Sequence, residues 1–244
     1  MAIPYARCPK CGHQPLPADQ ALPTACPACG VILAKAGQPL ARTLPDDPDP
    51  PSAAQDPAKP ATALGLRVQL ALLVALMIWS WMLIRLDYRS GEFGTSFLHR
   101  PLLVFHEAGH IIFMPLGHWL SVLGGTLGQL LMPATMAGAL LLKNRDRFGA
   151  AVGVWFVGVS LLDVAPYMYD ALQPQLMLLS GSTGEAGGHD WIYLFDSTGL
   201  LARAQSIGRL THRLGALVML LALAAAARLL WRNRQTMALR PTPA

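Results

Sequence analysis

Pro101-Leu102-Leu103-Val104-Phe105-His106-Glu107-Ala108-Gly109-His110-Ile111-Ile112-Phe113-Met114 decides how this chain reads. It is an HExxH motif set inside a continuous apolar run. On a helix, positions i and i+4 share a face, so both imidazoles can reach one zinc ion while Glu107 stands beside the open coordination position as a proton carrier. Three ionisable groups in a hydrocarbon-facing helix cost roughly 2 to 3 kcal/mol or more each when unpaired, so such a segment has a functional reason. Soluble zinc hydrolases do not need apolar flanks of this kind.

Working outward, the 244 residues are 53% hydrophobic and 14% charged, which places the chain among integral membrane proteins. The formal charge of +5 comes largely from arginines beside apolar segments, at Arg85, Arg89, Arg145, Arg147, Arg228, Arg232 and Arg234. These read as membrane flanks and not as a nucleic-acid surface. Residues 1–30 contain no apolar core of a cleavable signal, so the first hydrophobic helix is expected to act as the insertion signal.

Candidate spans are Leu66 to Leu86, Phe97 to Leu116 with the HEAGH motif, His118 to Leu142, Phe148 to Ala171 and Ile207 to Trp231. The expected fold is an all-α polytopic membrane domain of four to five membrane helices, over residues 64–235, with a disordered tail at 236–244. Gly124-Gly125-Thr126-Leu127-Gly128 offers a small-residue face for close helix approach. Pro166 is expected to open its helix by removing the bond to Leu162. Residues 173–206 read as a loop with one short helix. Five crossings would put the basic turn 143–147 and the basic C-terminus on one side and the N-terminus on the other. A cytoplasmic N-terminus instead requires the HEAGH segment to be re-entrant.

All four cysteines lie near the start, as Cys8-Pro9-Lys10-Cys11-Gly12 and Cys26-Pro27-Ala28-Cys29-Gly30. Two such knuckles place four thiolates around one structural zinc, in a small ribbon over residues 1–35. Reduced thiolates favour a cytoplasmic ribbon, and with it a multi-pass protein of the cell (inner) membrane. Residues 36–63 carry seven prolines between 39 and 60 and read as a disordered tether. With few surplus basic residues, the ribbon is expected to bind a protein partner and no nucleic acid.

A catalytic zinc takes three protein ligands and a water, so His106 and His110 need one more. Asp163 and Asp170 lie seven residues apart on one helix face with Tyr167 between them. His189-Asp190, in the Gly-rich stretch Gly187-Gly188-His189-Asp190-Trp191, is a separate candidate. His99, His118 and His212 are assigned no chemistry.

HEAGH followed two helices later by Asp163…Pro166…Asp170 resembles the site-2 protease class of intramembrane zinc metalloproteases, over about residues 97–171. That family carries HExxH on the first of three core helices and an Asn-x-x-Pro…Asp-Gly segment on the third. Here Asp163 replaces the asparagine, Asp170 comes one residue early and Ala171 replaces the glycine. The resemblance implies a zinc endopeptidase acting on membrane-protein substrates in the lipid bilayer. It further implies zinc held by His106, His110 and Asp170, with Glu107 as general base; Asp163, His189 and Asp190 stay open as alternative ligands from the residues themselves. The alternative is a non-catalytic zinc-binding membrane scaffold or regulatory pseudoprotease. Metal transport is a third reading, against which the first and last spans offer almost no ionisable residues.

Overall fold

The computed structural model describes residues 6–16, 24–33 and 63–238. The tether read over 36–63 lies almost wholly outside them. The chain divides into two compact units, Met1–Pro57 and Ala58–Ala244.

In the first unit the two Cys-Pro-x-Cys-Gly stretches fold alike. Gly12 and Gly30 adopt φ of 73° and 69°, where only glycine is unstrained. Their N–H groups donate back to the carbonyls of Cys8 and Cys26 at 2.8 Å each. Cys8 N–H donates to His13 O at 3.0 Å and Cys26 N–H to Val31 O at 2.8 Å, completing two matching knuckles. Leu33 is buried with Cys8 and Cys26, and an isolated antiparallel bridge joins Ala25 and Ile32.

The second unit is helical and, among its described residues, has no strand. Its helices are α1 (Ala63–Ile84), α2 (His99–Phe113), α3 (His118–Leu142), α4 (Arg147–Asp170), α5 (Asp190–Ser197) and α6 (Ala204–Ala238). Single 3-10 turns join several of them, among them Met114–Leu116 between α2 and α3. Each expected span corresponds to a helix, most with ends shifted by a few residues. The last is longer, because α6 runs for 35 residues and takes in residues 236–238 of the expected tail.

Among the described residues, four segments are long and apolar enough to cross a membrane: Leu64–Ile84, His118–Leu142, Arg147–Asp170 and Leu201–Met237. The HEAGH helix is not among them. At 15 residues it reaches about 22 Å, short of the roughly 30 Å of hydrocarbon.

α4 is the central helix. Its most apolar window is 67% buried, against 22% for α1, which explains why its residues are small or apolar on every side. Gly158 and Gly215 let α4 and α6 touch through backbone, since a Cβ on either would stand 2.8 Å from the other's carbonyl oxygen. Trp155, 1% exposed, joins α4 to α1: its Nε1–H donates to Ser80 Oγ at 2.7 Å, and that hydroxyl donates to Leu76 O at 2.7 Å. The polar atoms of both buried side chains are thereby satisfied.

Pro166 does not open α4, which continues unbroken to Asp170. Packing on both sides holds the helix through the missing bond, with Ala165 at 0% exposure and Gly208 of α6 pressed against the Ala165 carbonyl and the Tyr169 amide.

The small-residue face on α3 receives α2. A Cβ on Gly124 would stand 2.7 Å from the Gly109 carbonyl oxygen, and one on Gly128 2.8 Å from Gly109 Cα. The glycine inside HEAGH and the GG-x-x-G run are thus two halves of one contact. Ser121 strengthens it by donating to His110 O at 2.9 Å.

Candidate metal centres

In the ribbon, Cys8 Sγ lies 3.7 Å from Cys29 Sγ and Cys11 Sγ 3.8 Å from Cys26 Sγ. All four sulfurs fall within 4.8 Å of one another, and no disulfide joins them. Four sulfurs each about 2.3 Å from a tetrahedral zinc would be about 3.8 Å apart, so the spacing fits the ion. The titration pattern fits as well. Burial raises the Cys8 thiol, yet backbone hydrogen bonds from Cys11 and Lys10 and the neighbouring sulfurs outweigh it and bring it down to about 6. The His13 backbone favours the Cys11 thiolate, but the sulfurs of Cys29, Cys8 and Cys26 outweigh that and push it up to about 12. One thiolate forms at its neighbours' expense, a conflict that a central cation relieves.

In the membrane unit, the α2–α3 contact sets both imidazoles. His110 Nδ1–H donates to Ser121 O at 2.9 Å. His106 Nδ1–H donates to Gln129 Oε1 at 2.8 Å. Both Nδ1 atoms carry the proton, so both Nε2 atoms are free to act as ligands.

Those Nε2 atoms meet Asp190, the first residue of α5. Asp190 Oδ2 stands 2.9 Å from His106 Nε2 and 3.3 Å from His110 Nε2. Donors each about 2.0 to 2.1 Å from a tetrahedral ion are about 3.3 Å apart. Two imidazole lone pairs facing a carboxylate would repel it, so the arrangement calls for positive charge between them, as protons or as a metal cation. Burial pushes the Asp190 carboxyl up, and the imidazoles outweigh it and hold it below its ordinary value. Gly125 keeps the meeting point open, since a Cβ there would stand 2.5 Å from His106 Nε2 and 2.6 Å from His110 Nε2. Donor type, spacing and the space beside Gly125 together fit a zinc-sized cation.

Glu107 is exposed, and its carboxylate lies within 4.8 Å of the imidazole nitrogens. It opens into a cavity of about 590 Å³ shared with His106, His110 and Asp190. The apolar segment Leu176–Leu179 and the backbone at Gly187 and Gly188 wall this space. A water held between Glu107 and the donor cluster would be within reach of both.

The three other carboxylate and imidazole candidates have other partners. Asp170, the ligand implied by the family resemblance, ends α4 and makes its contacts elsewhere. Its Oδ1 accepts the N–H groups of Gln175 (2.8 Å) and Leu176 (3.1 Å), and its buried Oδ2 lies 3.3 Å from His189 Nε2. That last contact is out of line for a good hydrogen bond, and neither buried atom has another partner among the described residues. The physical reason is helix geometry: Asp170 is seven residues beyond Asp163, one to two turns past the level of the imidazoles. His189 caps α5, its Nδ1 accepting Ile192 N–H at 3.3 Å, and its ring lies 4.1 Å from that of Tyr167. Asp163 does lie in the cavity wall, but both its oxygens are taken. Oδ1 pairs with His99 Nδ1 at 2.7 Å and Oδ2 accepts from Gln129 Nε2 at 3.0 Å.

Four side chains in this centre went unassigned from sequence: Gln129, Ser121, Tyr167 and His99. Tyr167 Oη accepts the Asp190 N–H at 2.9 Å and so fixes the start of α5. Gln129 carried a signal, as a lone amide deep in an apolar span, and His99 carried another, two turns before His106 on the same face. Ser121 acts through its carbonyl as well as its hydroxyl, which no side-chain pattern reports.

No model of a known protein family matches the chain, and comparison with curated proteins and with solved structures finds no match.

Proposed function

We propose that the membrane unit is a zinc endopeptidase of the site-2 protease type, acting on membrane-associated proteins. The observation that supports this best is the convergence of two Nδ1-pinned imidazoles and the Asp190 carboxylate, with Glu107 beside them in an open cavity. A structural site has no use for a free carboxylate at that position. His106, His110 and Asp190 are the residues that would hold the ion. When bound, zinc supplies Lewis-acid polarisation of the scissile carbonyl and lowers the pKa of water towards about 7. Glu107 takes the proton from the attacking water and gives it to the leaving amine. Tyr167 and the His189–Asp170 pair hold Asp190 in place through the reaction. A substrate helix hides its carbonyls in its own hydrogen bonds, so it must unwind before it lies along the wall formed by Leu176–Leu179.

The ribbon belongs on the cytoplasmic side of the cell membrane in this reading. With α1, α3, α4 and α6 crossing and α2 re-entrant, the ribbon, the basic turn 143–147 and the basic end of α6 fall on one side, as the positive-inside rule requires. The end of α4, the loop after it and α5 then face the opposite side, and the cavity opens there. The ribbon recruits a protein partner.

The test is cleavage of a membrane-helix reporter by the purified full chain in bilayers, beside total metal content. Glu107→Gln should keep its metal and lose cleavage. Metal-loaded protein with no Glu107-dependent cleavage of any reporter returns the non-catalytic scaffold in place of the enzyme.

A further inference from the structure

A buried carboxylate in a spanning helix must be satisfied from within the protein, and Asp163, with its side chain 6% exposed, spends both oxygens on side chains from two other helices. One of them, Gln129, is 2% exposed and uses its whole amide: Oε1 takes the His106 Nδ1–H at 2.8 Å, and Nε2 donates to Asp163 Oδ2 at 3.0 Å and to Ser160 O at 3.3 Å. Ser160 Oγ returns a bond to the Gln129 carbonyl at 2.9 Å. A flipped amide would turn its oxygen towards a carboxylate and a carbonyl and its NH₂ towards the His106 N–H, losing three hydrogen bonds at once. The amide therefore has one orientation, and His106 has one nitrogen on which to keep its proton. Asp190 pulls in the opposite sense, because a carboxylate beside Nε2 attracts a proton onto that nitrogen whenever metal is absent.

Given metal at His106, His110 and Asp190, we infer that Asp163, Gln129 and His99 form a positioning relay that locks His106 in the metal-binding tautomer; this rests on the metal assignment above. Asp163 is the lock on the amide and not a ligand. His99, from the first turn of α2, holds the second oxygen of Asp163 at 2.7 Å and so fixes the carboxylate's direction. An amide in the middle of the chain does not hand protons along, so the relay orients His106 and conducts nothing. His99 is its half-exposed end, with a side-chain exposure of 31%, and lines the same cavity as Glu107.

The test is cobalt binding to the full chain in detergent, followed by the visible absorption of the ion. Cobalt in the cysteine cluster is told apart by its thiolate charge-transfer bands. Gln129→Leu should weaken cobalt at the membrane centre by about 10- to 100-fold, the usual cost of losing an orienting partner. Asp163→Asn cannot accept from both His99 and Gln129, and should weaken it by about 10-fold. His99→Gln should weaken it less, and in all three the visible bands of the remaining membrane-site cobalt should shift while those of the cluster do not. Wild-type affinity and unshifted bands in both Asp163→Asn and His99→Gln would overturn the relay. So would loss of the membrane-site cobalt at every concentration in Asp163→Asn with retention in Asp190→Ala, because Asp163 would then be the ligand. Should Asp163→Asn fail to fold, judged by its thermal melt, His99→Gln at the half-exposed end decides. Wild-type protein that takes cobalt at the cluster alone would remove the metal assignment itself, an outcome distinct from failure of the relay.

Discussion

The cysteine cluster and the membrane centre both present donors spaced for zinc, yet they are built in opposite ways. The cluster draws four thiols from two copies of one local turn, with all four sulfurs within 4.8 Å and no position left over. The membrane centre draws two imidazoles from one helix and its carboxylate from Asp190, a separation in sequence of 84 residues from His106. It leaves Glu107 beside the donors in a cavity. A closed set of four holds a fold together, whereas a set of three with a base beside it leaves room for a reacting molecule. The closed site needs little from the rest of the chain. The open one depends on four helices and a loop to bring its parts into register.

The comparison breaks most sharply at the ligands. Asp190→Ala or His106→Ala should lower the metal content of the whole chain from two ions to one and leave the cluster loaded, as measured by elemental analysis. Glu107→Gln should leave both ions and reduce cleavage by about 10²- to 10⁴-fold, the range associated with a general base. If Asp190→Ala keeps both ions while Asp170→Ala loses one, the ligand has been misassigned.

Gly125→Ala asks whether the open centre depends on backbone clearance. Alanine favours a helix over glycine by about 1 kcal/mol, so on propensity alone α3 should gain. The added carbon would stand 2.5 Å from His106 Nε2, and we expect at least a 10-fold loss of zinc affinity at the membrane centre instead. Unchanged affinity in a metal competition assay would place the donors elsewhere.

Asp170→Asn tests a smaller effect. The charge of Asp170 is one step removed from the candidate metal position, acting through His189 beside Asp190. Faster metal release, by a factor of about 10 or less, is expected in stopped-flow chelation, with no change at the cluster.

The cluster itself should respond to pH in two stages. Thiols must lose their protons to bind zinc, so affinity falls as pH falls. With the Cys11 thiol up at about 12, uptake at neutral pH releases its proton. With Cys8 down at about 6, that thiol is already ionised at neutral pH and adds a further released proton only below about 6. The plot of log affinity against pH should therefore steepen on the acid side of 6. A constant slope from pH 5 to 8 would show that the two thiols do not share their titration in this way.

Much of the architecture was legible because its causes are local. Apolar length marks α1, α3, α4 and α6, and the His118–Leu142 span matches α3 residue for residue. The glycines of 124–128 announced a close helix contact, though not that its partner would be Gly109 of the HEAGH motif. Misreadings arose where the cause is distant. Pro166 reads as a break from the sequence alone, and the burial of α4 keeps the helix whole. Asp170 was the ligand that the family resemblance implied, and its carboxylate instead accepts the N–H groups of Gln175 and Leu176 in the following loop.

The sequence by itself determined the three candidate donor pairs whose members lie within one turn of each other, His106 with His110, Cys8 with Cys11 and Cys26 with Cys29, because i to i+4 and Cys-x-x-Cys spacings fix proximity without help from the fold. The tertiary structure alone decided which carboxylate faces the two imidazoles. Asp163, Asp170 and Asp190 are the same chemical group at three positions, and their roles part only when packing shows what surrounds them: an amide and an imidazole for the first, a loop backbone and His189 for the second, two free imidazole nitrogens for the third. A carboxylate's role is set by the partners its surroundings supply, and those partners come from segments far away along the chain.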